Sequence, residues 1–178
     1  DAKTFGSLLQ PTLSEQHLGY LKIRVTNHWP LSPDPLLAQI VREHVLRVLE
    51  QAEALTQRYH VVVANPPYMG AKGFNGKMKS FIETNYAEYG ADLYSCFIVR
   101  NLELTVDGGF VAMITLPGWM FLDSFETLRE LILESFYLRS LVNNGRGAWG
   151  SDFGSCEFIV EKARKPNLKG QFRKLSDR

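Results

Sequence analysis

Apolar positions recur at spacings of three and four through residues 35–58, and then the pattern switches abruptly. Leu36, Leu37, Ile40, Val41, Val45, Val48, Leu49, Ala52 and Leu55 predict one amphipathic helix over this stretch. Asp34 and Pro35 supply its N-cap and first-turn proline. The run Val61-Val62-Val63-Ala64 has lost that period, and it predicts a parallel strand over residues 59–64, buried on both faces.

Beyond residue 75 the helical period returns twice. Residues 78–86 and 92–105 predict two helices, the second capped by Asp92 with Leu93, Phe97, Ile98 and Leu102 inward. A turn at Asp107-Gly108-Gly109 leads into another apolar strand, residues 110–116, which ends at Pro117-Gly118. A fourth helix is expected from Ser124, with Phe125, Leu128, Leu131 and Ile132 inward. Strands at residues 137–143 and 156–163 close the pattern, with a turn at 144–147 between them. Alternating strands and helices place the chain in the α/β class with a mostly parallel sheet. Residues 1–33 read as an irregular lead-in with a short strand at 21–25. Residues 34–165 read as the main domain, and 166–178 as a basic linker or tail.

The chemistry concentrates where the first strand stops. Asn65-Pro66-Pro67-Tyr68 follows the valine run directly, and open α/β sheets bind ligands beyond the carboxyl ends of their strands. The prolines fix φ and withhold backbone donors, so this corner is stiff and rich in carbonyl acceptors. Asn65 adds a side-chain acceptor and Tyr68 a flat ring. Acceptors beside a ring suit a planar molecule that carries an NH2 group. A plain turn closing a strand would also use Asn-Pro.

At these residues the chain resembles the S-adenosylmethionine-dependent amino-methyltransferases of the Rossmann-like class, whose signature is Asn-Pro-Pro-Tyr. After the corner come a glycine-rich loop (Gly70, Gly73, Gly76), then Asp92-Leu93-Tyr94, then residues 108–117. That order is similar to the large bacterial adenine methyltransferases of type IIG restriction-modification and BREX-type phage-defence systems. The resemblance runs over residues 1–165.

The resemblance implies a partial class I methyltransferase sheet, mostly parallel with an antiparallel final strand, that lacks the first cofactor-binding strands. S-adenosylmethionine would be the cofactor, with its main glycine loop upstream of residue 1. Neither Gly145-Arg146-Gly147 nor any earlier segment stands where that loop should. Asn65, Pro66 and Tyr68 would be the catalytic residues: the Asn65 oxygen and Pro66 carbonyl accept from the adenine amine, and Tyr68 stacks on the base. Pro67 would touch substrate. Trp149 matches the position of a second stacking aromatic, with Phe153 as competitor. Trp119, Met120 and Phe121 would wall the adenine or the methionine portion of the cofactor, or else pack the core, and Asn65 and Pro117 would border the cofactor. No metal is implied.

The partners so implied are double-stranded DNA with a flipped adenine, a cofactor-binding half upstream and a recognition domain downstream. The isolated segment would then be inactive, in a bacterial or archaeal cytoplasm. A protein glutamine-N5 methyltransferase is the alternative, since the same corner serves any conjugated amide nitrogen; a non-catalytic assembly module is a second.

Composition changes this picture little. The 178 residues are 45% hydrophobic and 22% charged, as in an ordinary soluble domain. Lys and Arg number 20 against 19 acidic residues, so no overall field marks a polyanion binder. Lys72, Lys77 and Lys79, and the basic residues from Lys162 to Arg178, are phosphate-contact or solvated positions. Cys96 and Cys156 fit a reducing compartment, with one disulfide left open. No apolar run approaches the ~18 residues of a membrane span.

Overall fold

The computed structural model describes residues 2–30, 33–147 and 153–175. They form two compact units, residues 1–57 and 58–178.

The first unit is helical: α1 (Ala2–Phe5), α2 (Glu15–Asn27) and α3 (Pro35–Thr56). The strand expected at residues 21–25 is absent, because α2 runs through it. Ser14 caps that helix by accepting from the His17 amide at 3.3 Å, and tertiary ties to α3 override the β-branched preference of Ile23 and Val25. Lys22 pairs with Glu53 at 2.9 Å, and Arg42 donates to the Val25 and Thr26 carbonyls at 3.1 and 2.6 Å. The lead-in is therefore regular structure. The Asp34 carboxylate accepts from Leu37 N at 3.0 Å, as the capping pattern required. The α3 stripe is nevertheless only partly covered: Val45, Leu49, Ala52 and Leu55 are half-buried, Leu36, Leu37, Ile40, Val41 and Val48 are exposed, and none of its residues is buried.

The second unit is a five-stranded sheet in the order β1-β2-β4-β3-β5. The strands are β1 (Tyr59–Ala64), β2 (Thr105–Thr115), β3 (Tyr137–Gly145), β4 (Ser155–Glu161) and β5 (Gln171–Lys174). β1 runs parallel to β2, and β5 parallel to β3, while β4 is antiparallel to both its neighbours. Four strands thus share one direction and β4 is reversed. β4 is not the last strand, however. Residues 171–174, taken for linker, pair with β3 as an edge strand; their Gln-Phe-Arg-Lys composition and full exposure hid the strand.

Helices α4 (Gly76–Asn85), α5 (Leu93–Leu104) and α6 (Glu126–Ser135) complete the unit. The core lies on one face of the sheet. Val111 and Met113 of β2 and Phe158 and Val160 of β4 pack with Ile98 and Leu102 of α5 and Leu128 and Ile132 of α6. Burying each such side chain contributes roughly 1.5–3 kcal/mol. α5 is buried nearly all round, including Tyr94, Ser95, Cys96 and Asn101.

The opposite face carries no helix among the described residues of this unit. Val61 and Val63 are therefore exposed, Val63 to 74%, where the valine run predicted burial on both faces. β1 is an edge strand here, and period-two geometry sends Val62 and Ala64 inward and Val61 and Val63 outward.

The glycine turn expected before β2 sits inside its ladder. Tyr59 pairs with Thr105 and Val61 with Phe110, so residues 106–109 bulge out. Gly108 takes φ 77°, and Gly108 N and Gly109 O bond to Lys162 O and N at 2.8 Å each. The Lys162 ammonium donates to Thr105 O at 2.7 Å, and Lys165 pairs with buried Glu161. Those two basic residues serve the fold.

Candidate active site

Two parallel strands deliver the site. β1 and β2 end side by side at Ala64 and Thr115, and the chain leaves each through a proline: Pro66 after β1 and Pro117 after β2. Between the two exits lies a cleft of about 450 Å³, bordered by Asn65, Tyr68, Ile114, Leu116, Phe153 and Ser155. A second hollow of about 430 Å³ shares Leu116 and Phe153 with it and adds Asp92, Tyr94, Pro117 and Phe121.

Asn65 is exposed at the cleft mouth, whereas Pro66 beside it is buried and anchors the corner. The Tyr68 hydroxyl donates to Asn65 Oδ1 at 2.9 Å and reaches Ile114 O at 3.3 Å. An amide oxygen has two lone pairs, so Asn65 keeps acceptor capacity beyond that bond. The hydroxyl has one proton and two acceptors, so a turn toward Ile114 O would release Asn65 entirely. Partial burial raises the Tyr68 phenol above its usual range, with the nearby Cys156 sulfur adding to the effect. Tyr68 is therefore a neutral donor at physiological pH.

Tyr68 is 41% exposed, and its ring meets Tyr94 edge-on, at 6.2 Å between centroids and 87°. Tyr94 in turn stacks on Phe125 at 5.5 Å and 20°. A chain of three rings thus fixes the plane of the outermost one, and Tyr68 borders the cleft. Beneath it, Asp92 caps α5 and accepts from Met69 N at 3.0 Å. Burial raises the Asp92 carboxyl above its usual range, against the pull of the backbone amides it accepts from.

The remaining sequence-predicted residues divide. Phe153 is 73% exposed and borders both hollows, and Pro117 borders the second. Trp119 is 3% exposed, donates through Nε1 to Thr115 Oγ1 at 3.1 Å and packs edge-on against Phe158 at 5.1 Å. It belongs to the core. Trp149 lies outside the described residues. Phe121, expected near the pocket, borders the second hollow, whereas Tyr94 and Ser155 line the hollows without a role expected for them there. α5 is buried nearly all round, so burial reaches Tyr94 beyond the expected stripe of Leu93, Phe97, Ile98 and Leu102, and Ser155 has no signal of its own.

Both cysteines are free and buried. Burial pushes the Cys96 thiol up to about 12 and also raises Cys156, so neither is a thiolate nucleophile. Among the described residues the cleft holds three polar side chains, Asn65, Tyr68 and Ser155, and no carboxylate. That set fits an amine and the methyl being passed to it. A ribose is usually held by a carboxylate, which the described residues of this cleft do not supply.

Similarity to known proteins extends to family and fold. The Eco57I restriction-modification methylase family matches residues 34–148. The adenine-specific methyltransferase BrxX of Escherichia coli O9:H4 is 34% identical over 173 residues, 97% of this chain. The chain spans only 14% of that relative. Among solved structures, a class I S-adenosylmethionine-dependent methyltransferase of Listeria monocytogenes matches with a TM-score of 0.55 at 15% identity, over 75% of this chain and 46% of that one. DrdV in its complex with DNA matches with a TM-score of 0.56 at 17% identity, over 72% of this chain and 16% of that one. These two likenesses concern the fold.

Proposed function

The chain belongs to the Eco57I restriction-modification methylase family, and we propose that it is the base-receiving part of a DNA adenine-N6 methyltransferase. One observation carries the proposal. The Asn65 oxygen and the Tyr68 ring converge on one cleft at the carboxyl ends of two parallel strands, outside the packed core.

An exocyclic adenine amine is a weak nucleophile because its lone pair is delocalised into the ring. Asn65 Oδ1 accepts one N–H and the Pro66 carbonyl the other, which draws the hydrogens from the ring plane and localises the pair on nitrogen. Tyr68 stacks on the base and holds it at the depth where both acceptors reach. Phe153, across the cleft mouth, closes over the opposite face, and Pro67 stiffens the wall. Such fixed acceptors act by orientation and preorganised polarity. S-adenosylmethionine, when bound, supplies the methyl group as a sulfonium electrophile. Asn65 and Pro117 would border its reactive end.

Duplex DNA hides the amine, so the adenine is flipped into the cleft. The DNA partner is supported by the relative's adenine specificity and by the fold shared with DrdV, solved on DNA. Digestion of duplex DNA after incubation with the full-length protein and S-adenosylmethionine should release N6-methyladenine. Methylation of a glutamine-containing protein instead, with DNA untouched, would refute the assignment.

A further inference from the structure

The corner that carries Tyr68 is not held by its own turn alone. Residues 69–71 lie against residues 91–93 in a short antiparallel bridge between Gly70 and Asp92. Leu93 N donates to Met69 O at 2.9 Å, and Ala71 N to Ala91 O at 3.2 Å. Within this bridge one side chain joins the two segments. Asp92 Oδ1 accepts both from Tyr94 N, at 3.2 Å, and from Met69 N, at 3.0 Å, a residue 23 positions earlier in the chain.

Capping α5 explains only the first of those bonds. A helix N-cap needs a short side chain accepting from its own N2 or N3 amide, and a serine would do it. The bond to Met69 serves a different end, because Met69 follows Tyr68 directly and Tyr94 is the ring against which Tyr68 rests edge-on. One carboxylate oxygen thus sets both the backbone that follows Tyr68 and the start of the helix that presents Tyr94. It is 9% exposed and so insulated from competing water.

We propose that Asp92 is a positioning residue of the methyl-transfer site, bracing the Asn65–Tyr68 corner onto α5 so that the ring and the acceptor keep their register in the cleft. This rests on the adenine methyltransferase reading above. The requirement is for an oxygen at that reach, not for charge. Asparagine keeps the oxygen, whereas serine keeps the cap but stops about one bond short of Met69.

The test compares Asp92→Ser and Asp92→Asn in the full-length protein. Three measurements are taken on each: the thermal midpoint, hydrogen exchange at the Met69 amide, and kcat and KM on adenine-containing duplex. Asp92→Ser should melt close to the parent protein, exchange Met69 faster, and lose roughly 10- to 100-fold in kcat with the KM for S-adenosylmethionine unchanged, the scale of a small misplacement at a reacting centre. Asp92→Asn should restore both protection and turnover. Parent-like exchange or parent-like kcat in Asp92→Ser would overturn the brace and leave Asp92 a helix cap. If the parent protein fails to methylate adenine, the functional reading fails. Met69 exchange still decides the brace on its own, parent-like protection in Asp92→Ser again overturning it.

Discussion

Two neighbouring chain exits, one after β1 and one after β2, begin alike and end differently. Each leaves an apolar strand through a proline and carries an aromatic residue within four positions of the strand end: Asn65-Pro66-Pro67-Tyr68 and Leu116-Pro117-Gly118-Trp119. The second exit is consumed by the fold. Trp119 is buried, its N–H is satisfied by Thr115, and Arg129 clamps the turn through the Trp119 and Leu122 carbonyls at 3.0 and 2.6 Å. The first exit keeps its aromatic ring partly open and its amide oxygen at a cleft. The Asn65 oxygen accepts one internal bond, from Tyr68, and still borders a concave site with a second lone pair to offer, whereas the aromatic N–H of the other exit is spent inside the core.

The sharpest way to separate the two exits is to truncate the buried ring. Trp119→Ala should cost about 3–5 kcal/mol of stability, as large-to-small core changes do, measured by denaturant unfolding. Any fall in methylation should then disappear at temperatures where the variant is fully folded. Arg129→Met should follow at about 2 kcal/mol, since it leaves two carbonyls without a charged donor; its effect should again appear in unfolding and not in turnover of the folded protein. The smallest effect is expected at the first exit. Tyr68→Phe keeps the stacking ring but removes the bond that orients Asn65, and should cost about 1 kcal/mol in kcat/KM, the value of one neutral hydrogen bond, with the melting midpoint barely moved. A stability loss in Tyr68→Phe matching that of Trp119→Ala would erase the distinction between the exits.

Much of this arrangement was legible in the sequence because local chemistry and tertiary structure agree there. The Asp34 and Asp92 caps, α3, α5, β1 and β3 rest on caps and periodicity that packing reinforces. The corner was legible because Asn-Pro-Pro-Tyr carries its acceptors, rigidity and ring within four residues. Where long-range pairing decides, the reading failed. Ile23 and Val25 look like strand residues until the Ser14 cap and the ties to α3 hold them in a helix. Residues 171–174 look like a solvated tail until β3 offers an edge. The valine run implied burial on both faces, yet the faces of an edge strand are set by which neighbours cover them. The brace from Asp92 to Met69 was invisible for the same reason, because the sequence shows the cap and not its second bond.

The central claim is that the Asn65 oxygen is an acceptor for the methylated amine. Single-turnover methyl transfer by the full-length protein tests it most directly, comparing Asn65→Ala with Asn65→Asp under saturating DNA. Asn65→Asp keeps an oxygen in place and should retain far more activity. Asn65→Ala should lose at least ~3 kcal/mol of transition-state stabilisation, by analogy with removal of one preorganised hydrogen-bonding group from a catalytic site, while DNA affinity stays unchanged. Parent-like single-turnover rates in Asn65→Ala would contradict the account.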